Sequence, residues 1–286
     1  GEEARFRSKT VLLAPGVNIF RNPLCGRNFE YMGEDPFLAA QMAVPYIKGV
    51  QENGVAACVK HFALNNQEAH RHKINSVVDD RALREIYLPA FEAAVKDAGV
   101  WAVMGAYNRY RGEFCCENQY LLNDILKKEW GFDGVVISDY NAFGEMVPHG
   151  YEQDGAKIAL RAFEAGEDIE MMSPNYLFNM EKLVKSGKID EKELDERVFR
   201  ILKLKRDLGL FDDPMRGMSE EREKTECLTP ENRELVRKAA EKSCVLIKND
   251  GALPLKDEKV ALIGPFSDAG NIIGTWRAYG KSEDTV

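Results

Sequence analysis

Short apolar runs recur along the first two-thirds of this chain, and each is followed by a segment with helical periodicity. Thr10-Val-Leu-Leu-Ala14, Ala56-Ala-Cys-Val-Lys60, Val100-Trp-Ala-Val-Met104, Val135-Val-Ile-Ser138 and Asp168-Ile-Glu-Met171 carry almost nothing polar before their ends. Runs of that kind suit strands buried on both faces, as in a parallel sheet. The clearest helix follows Asp79-Asp80 and places Leu83, Ile86, Tyr87, Ala90, Phe91, Ala94 and Val95 on one face. Asn118 to Trp130 and Gly155 to Ala165 repeat the pattern. Strand followed by helix, repeatedly, predicts an α/β fold, a parallel sheet with helical crossovers. About five such units are legible, whereas a closed (β/α)8 barrel takes about eight in roughly 250 residues. The expectation is a TIM-like barrel whose N-terminal part lies upstream of Gly1.

The character changes after Leu208-Gly-Leu-Phe211. We expect a partial barrel over 1–211, a polar linker rich in Pro and Gly over 212–228, and the beginning of an α/β sandwich domain over 229–286. Thr229-Pro230 reads as a helix start, Cys244-Val-Leu-Ile-Lys248 and Lys259-Val-Ala-Leu-Ile-Gly-Pro265 as strands, and Asn249-Asp-Gly251 as the turn between them.

Charge and cysteine content exclude several function classes. With 39 basic and 47 acidic residues the net charge is -8, which repels nucleic acid, and no basic stripe with interleaved aromatics is present. No apolar run approaches the roughly 20 residues of a membrane span, and the opening residues are not a signal peptide. The six cysteines (Cys25, Cys58, Cys115, Cys116, Cys227 and Cys244) have no metal-ligand spacing and read as free thiols, mostly buried. No metal or organic cofactor is implied. Compartment and oligomeric state stay open, a homo-oligomer included.

The strand ends carry the chemistry. The first strand leads into Asn18 to Glu30, which holds Arg27; the second ends in Lys60-His61, the third in Tyr107-Asn108 and the fourth in Asp139-Tyr140. In α/β barrels the carboxyl ends of strands share one rim, so these groups converge. Taken singly, Arg27 suits a brace for Glu30 or Glu34, His61 a satisfied core histidine, and Asp139 a helix cap. Together they make a pocket of fixed donors around one carboxylate, suited to a neutral polyhydroxylated ligand, with Tyr140 as a platform for a sugar face. A phosphorylated metabolite is a weaker reading, since no Gly-rich loop leads into a helix N-terminus.

Here the sequence resembles glycoside hydrolase family 3, the β-glucosidase-like enzymes. The stretches that carry the resemblance are Gly26-Arg-Asn-Phe-Glu-Tyr-Met-Gly-Glu-Asp-Pro36, Val59-Lys-His-Phe-Ala-Leu-Asn-Asn-Gln-Glu-Ala-His-Arg71, Leu83-Arg-Glu-Ile-Tyr-Leu-Pro-Ala-Phe91, Val103-Met-Gly-Ala-Tyr-Asn108 and Trp130 to Asp139, in family order. Gly264-Pro265 and Gly274-Thr-Trp276 resemble the opening of the family's sandwich domain. The resemblance implies a retaining exo-β-glucosidase with Asp139 as nucleophile. By the same resemblance Arg27, Lys60, His61 and Arg71 hold the terminal sugar's hydroxyls, Tyr107 stands beside the nucleophile and Met104 lines the pocket. Tyr140 departs from the commoner Trp. The family's early Asp and its acid/base Glu are expected outside this chain. The Asp-His dyad of the N-acetylglucosaminidase branch is not spelled out after Lys60-His61, and His70 and His72 read as loop or surface residues. Glu30, Glu34, Glu68 and Glu170 read as partners for Arg27, Lys60 and Arg71. The alternatives are a β-xylosidase or β-N-acetylglucosaminidase of the same family, or a truncated, non-catalytic sugar-binding fragment; the chain alone is expected to be inactive.

Overall fold

Four of the five expected strands form, at Val11–Leu12, Ala56–Phe62, Ala102–Gly105 and Val135–Ile137, in a computed structural model describing residues 1–256, 259–267, 269–270 and 273. They make one parallel sheet in chain order, with Val11 opposite Ala56, Cys58 opposite Ala102 and Met104 opposite Ile137. Each strand neighbours the next in sequence, as helical crossovers require. The fold is therefore mixed α/β, with a parallel sheet that does not close into a barrel. The fifth run, Asp168 to Met171, joins through a single parallel bridge between Ile137 and Ile169. Its place at the sheet is held differently: the Asp168 and Ile169 amides both donate to the Val136 carbonyl, and the Asp168 carboxylate accepts from the Val136 amide at 2.8 Å.

Alternation along the strands separates two cores. Ala57, Val59, Val103 and Val136 pack against helices, among them Ala43, Ile47 and Val50 of Pro36–Glu52 and Ala90, Phe91 and Ala94 of Pro89–Lys96. Ala56, Cys58, Ala102, Met104, Val135 and Ile137 face the other way, onto Leu204 and Leu208 at the end of the Glu191–Asp207 helix. Both faces are dry, which is why these strands read as continuous apolar runs. Burying each such Val, Leu, Ile or Phe contributes about 1.5–3 kcal/mol before entropic costs.

Local chemistry explains where helices start and break. Asp35 accepts from the Phe37 and Leu38 amides and Pro36 sits at the first helical position, so Pro36–Glu52 begins there. The helix expected after Asp79 is interrupted. Asp79 caps it by accepting from the Ala82 amide, but Leu83–Tyr87 is wound as a π-turn and the α-helix restarts at Pro89. Pro89 has no amide hydrogen to continue the ladder, and the Leu88 amide reaches Leu83 instead. Tyr120–Glu129 is likewise π-wound, while Gly155–Ala165 is a regular helix capped by Asp154 and stopped at Gly166 with φ +115°.

A three-stranded flap of Asn75–Ser76, Arg109–Tyr110 and Glu113–Phe114 stands beside the main sheet. Arg111 and Gly112 both have positive φ, the demand of a two-residue primed hairpin turn.

Gly1–Ser219 is one compact unit and Glu220–Val286 another. Within the second, Thr229 accepts from the Asn232 amide and opens the helix Pro230–Ser243. The apolar runs beginning at Cys244 and Lys259 are not strands: Leu246, Ile247, Leu262 and Ile263 are exposed, and no neighbouring strand pairs with them among the described residues. The Asn249 side chain does bind the Gly251 amide in the expected turn. Gly274 to Trp276 lie outside the described residues. All six cysteines are free thiols, four of them buried.

Candidate active site

The carboxyl end of the second strand is fixed by a two-point clamp. Asn18 donates through Nδ2 to the His61 carbonyl at 3.0 Å, and its Oδ1 accepts from the His61 amide at 2.9 Å. Lys60 and His61 are thereby presented side by side, next to Arg27 on the turn that follows the first strand. Arg27 is 3 % exposed and donates through Nη2 to His61 Nε2 at 3.0 Å. It also pairs with Glu30, which in turn holds Lys60 Nζ at 3.1 Å. Glu68 takes Arg71 at 2.7 Å and stands 3.9 Å from Arg27. Three cations thus meet Glu30, Glu68 and Asp139, and this set of six is charge-balanced.

Asp139 follows the end of the fourth strand by two residues and is 8 % exposed. Its Oδ1 accepts from the Tyr140 amide at 2.6 Å, while Oδ2 is buried without a hydrogen-bond partner. Burial raises the Asp139 pKa, against the opposing effects of the Tyr140 amide, Arg27, Arg71 and the Tyr107 hydroxyl. Asp139 is positioned by its neighbours on both sides. The Ser138 amide donates to the Ile169 carbonyl, the Met171 amide donates to Ser138 Oγ at 2.8 Å, and the Asn141 amide reaches the Met171 carbonyl.

His61 is neutral. Burial first, then Arg27, Lys60 and Arg71, push its pKa well below the ordinary histidine range. Arg27 can only donate, so His61 Nε2 is the acceptor and Nδ1 carries the hydrogen. Nδ1 then donates to the Tyr31 hydroxyl oxygen at 3.1 Å, which also accepts from Asn65 and passes its own hydrogen to the Asn65 carbonyl at 3.3 Å. Both His61 ring nitrogens and the Tyr31 hydroxyl are satisfied in that one tautomer, while Asn65 Oδ1 is buried without a hydrogen-bond partner.

Of the residues singled out from sequence, Arg27, Lys60, His61, Arg71, Tyr107 and Asp139 are brought together. The Arg71 guanidinium lies 4.3 Å from the Tyr107 ring centre, and the Tyr107 hydroxyl donates to the Tyr140 carbonyl at 2.6 Å. Tyr140 has its side chain turned out, 55 % exposed, and contributes its main chain to the others. Met104 is buried in the core against the sheet's inner face. Two expectations need correction. Glu170 does not brace a site cation: its oxygens accept from the Asn175 and Tyr176 amides and from Ser173, capping the helix Asn175–Lys185. Glu34 is exposed and stands outside the cluster. His72 lies in a turn, as expected, with its ring packed 4.5 Å from Tyr107 and stacked on His149. Tyr31, Asn65 and Asn18 were missed by sequence reasoning. Tyr31 alone left a signal, a hydroxyl-bearing aromatic inside the motif that holds Arg27 and Glu30.

A cavity of about 450 Å3 lined by Trp101, Gly134, Lys203 and Leu204 opens at the starts of the third and fourth strands, away from Asp139. Parallel sheets place their chemistry at strand carboxyl ends, which leaves the Asp139 cluster as the candidate site.

Comparison with known proteins gives this geometry a context. Residues 1–204 match the glycosyl hydrolase family 3 N-terminal domain. Thermostable β-glucosidase B of Acetivibrio thermocellus is 44 % identical over 270 residues, covering 93 % of this chain and 33 % of that protein. β-Glucosidase BoGH3A of Bacteroides ovatus is 51 % identical over 214 residues, 71 % of this chain and 28 % of that protein. The crystal structure of β-glucosidase from Listeria innocua superposes with a TM-score of 0.88 at 37 % identity, covering 100 % of this chain and 42 % of that one. That enzyme has also been solved with glucose and, as an aspartate-to-alanine mutant, with laminaribiose. The chain spans about a third of the length of the curated relatives it matches. Among the described residues, no helix is long and apolar enough to cross a membrane.

Proposed function

The chain belongs to glycosyl hydrolase family 3, and we propose that it carries the nucleophile and sugar-binding part of a retaining exo-β-glucosidase that removes terminal non-reducing β-D-glucosyl residues. One observation carries the reading: Asp139 Oδ2 is buried, makes no hydrogen bond, and belongs to a cluster whose charges cancel. A carboxylate oxygen kept free beside fixed donors is suited to attack a carbon, while a charge-balanced cluster favours a neutral sugar over a phosphate.

In this proposal Asp139 Oδ2 attacks the anomeric carbon and the glycosidic bond breaks as an acid protonates the leaving oxygen. A covalent glycosyl-enzyme results, and water, deprotonated by the same group, attacks the anomeric carbon and releases Asp139. The acid is assigned to no residue of this chain. Arg27, Lys60, His61 and Arg71 bind the sugar hydroxyls, with His61 presenting its Nε2 edge as a neutral acceptor. Met104 supports the pocket floor, Tyr107 positions the Asp139–Tyr140 segment, and Tyr140 borders the leaving-group side.

We further read the parallel sheet as an arc of a (β/α)8 barrel ending near 211, with 212–228 as linker and 229–286 as the beginning of a sandwich domain. Strands that follow one another in order support the arc, and the apolar runs from Cys244 and Lys259, exposed and unpaired among the described residues, support a second domain there. The test of function uses the whole protein and an aryl β-glucoside. Replacing Asp139 with Asn is expected to abolish turnover, and hydrolysis within a few-fold of the parent would sink the assignment.

A further inference from the structure

Beside the proposed sugar pocket, three donors converge that the glycosidase reading does not use. Glu145 ends the short helix Ala142–Glu145, His149 follows it by four residues, and His72 reaches in from the loop after the second strand. One ligand atom from each lies within 4.8 Å of the others. Glu145 Oε2 is 3.4 Å from His149 Nδ1 and 3.9 Å from His72 Nδ1, too far for good hydrogen bonds. Metal–ligand bonds of about 2.0–2.1 Å in a tetrahedron place ligand atoms roughly 3.3–3.5 Å apart, so the Glu145–His149 pair already has that spacing and the His72 ring must move in to close around an ion.

One donor is held in place and another is unpartnered. Asn141 Nδ2 donates to Glu145 Oε1 at 3.2 Å, which leaves Oε2 turned towards the rings. His72 Nδ1 is buried and has no hydrogen-bond partner. The opposing contacts are modest. Arg71 Nε donates to His72 Nε2 at 3.4 Å, a long bond, and Arg71 keeps its 2.7 Å bond to Glu68 if that contact is lost. His149 Nδ1 is 2.7 Å from the Glu145 carbonyl, and this bond would be exchanged for a metal bond.

We propose that His72, Glu145 and His149 form a binding site for a divalent transition metal of the zinc class. Two imidazoles and one carboxylate suit zinc, nickel or copper, whereas magnesium and calcium prefer all-oxygen shells. Three protein ligands leave a fourth position for water. The ion would tie the 68–73 loop, which carries Arg71, to the segment after Asp139, and drawing His72 towards it would release Arg71 Nε.

The experiment is calorimetric titration of zinc chloride into the full chain, in a Cys244→Ser background that removes the exposed thiol as a competing ligand. One zinc per chain is expected, with affinity falling at least about tenfold in His72→Gln and in His149→Gln. The neighbouring His70→Gln change should leave it unaltered, and magnesium should not bind. Cobalt in place of zinc should give visible ligand-field bands without a thiolate charge-transfer band. If a histidine variant does not fold, Glu145→Gln carries the same comparison. No zinc uptake, or uptake undiminished in the His72→Gln/His149→Gln double variant, overturns the proposal.

Discussion

His61 Nε2 stands 3.5 Å from Asp139 Oδ2, yet the two groups do not form an ion pair. Arg27 donates to that same nitrogen, so the imidazole has no proton there to give Asp139. The geometry keeps one carboxylate oxygen unbonded while its positive surroundings come from Arg27 and Arg71. This is the state that a nucleophilic carboxylate needs.

The neutral His61 makes a titration prediction. Of the four histidines, the His61 ring proton resonance should stay constant between about pH 5 and 8 in nuclear magnetic resonance spectra. Because its folded pKa is depressed, the unfolded chain binds more protons below about pH 6.5. Stability therefore falls as pH drops below that value, and His61→Gln should flatten this part of the curve. A His61 signal titrating near 6.5 would contradict the tautomer assigned above.

Arg27 counteracts the burial that raises the Asp139 pKa. The acid limb of kcat/KM should lie above the ordinary aspartate range in the whole enzyme and move further up in Arg27→Met. The change should also lower kcat/KM, since a buried partner of Glu30 and His61 is lost; a cost of about 3–5 kcal/mol in stability accompanies removal of one side of a buried pair. An unmoved acid limb in a folded variant would show that Arg27 does not set the Asp139 charge.

Asp168 is a structural counterpart of Asp139. Its carboxylate is fully buried, accepts from Arg200 at 2.8 and 3.1 Å and from the Val136 amide, and lies near Arg197 and Lys127. Asp168→Ala leaves these cations facing one another, and urea unfolding should show a loss of about 3–5 kcal/mol. Asp168→Asn, which keeps an acceptor for the Val136 amide, should lose less. Equal stability of Asp168→Ala and the parent would mean that the cluster does not hold the fifth run to the sheet.

Much of this was legible in the sequence because periodicity reports burial. Val135 to Ile137 and Ala102 to Met104 read as strands since both of their faces are dry, and Gly155–Ala165 follows from its apolar periodicity, with Asp154 and Gly166 standing at its ends in the structure. The family motifs brought Arg27, Lys60, His61, Arg71, Tyr107 and Asp139 to one place. What was not legible depends on tertiary contacts. Glu170 carries the same charge as Glu30 and Glu68, and only the course of the chain into the helix at Asn175 turns it away from Arg27. Asn18 shows no pattern at all, because a clamp on the His61 backbone is a long-range contact. Leu83–Tyr87 fits an α-helix by its apolar face, and the π-turn arises from the missing amide hydrogen of Pro89.

The central claim is that Asp139 is the nucleophile, and azide rescue tests it most directly. Full-length Asp139→Gly or Asp139→Ala protein is assayed on an aryl β-glucoside with and without sodium azide. The account predicts that turnover collapses without azide and returns with it as α-glucosyl azide, since azide then occupies the place of the missing carboxylate. Undiminished hydrolysis in either variant, or no azide product from a folded variant of an active parent, would contradict it.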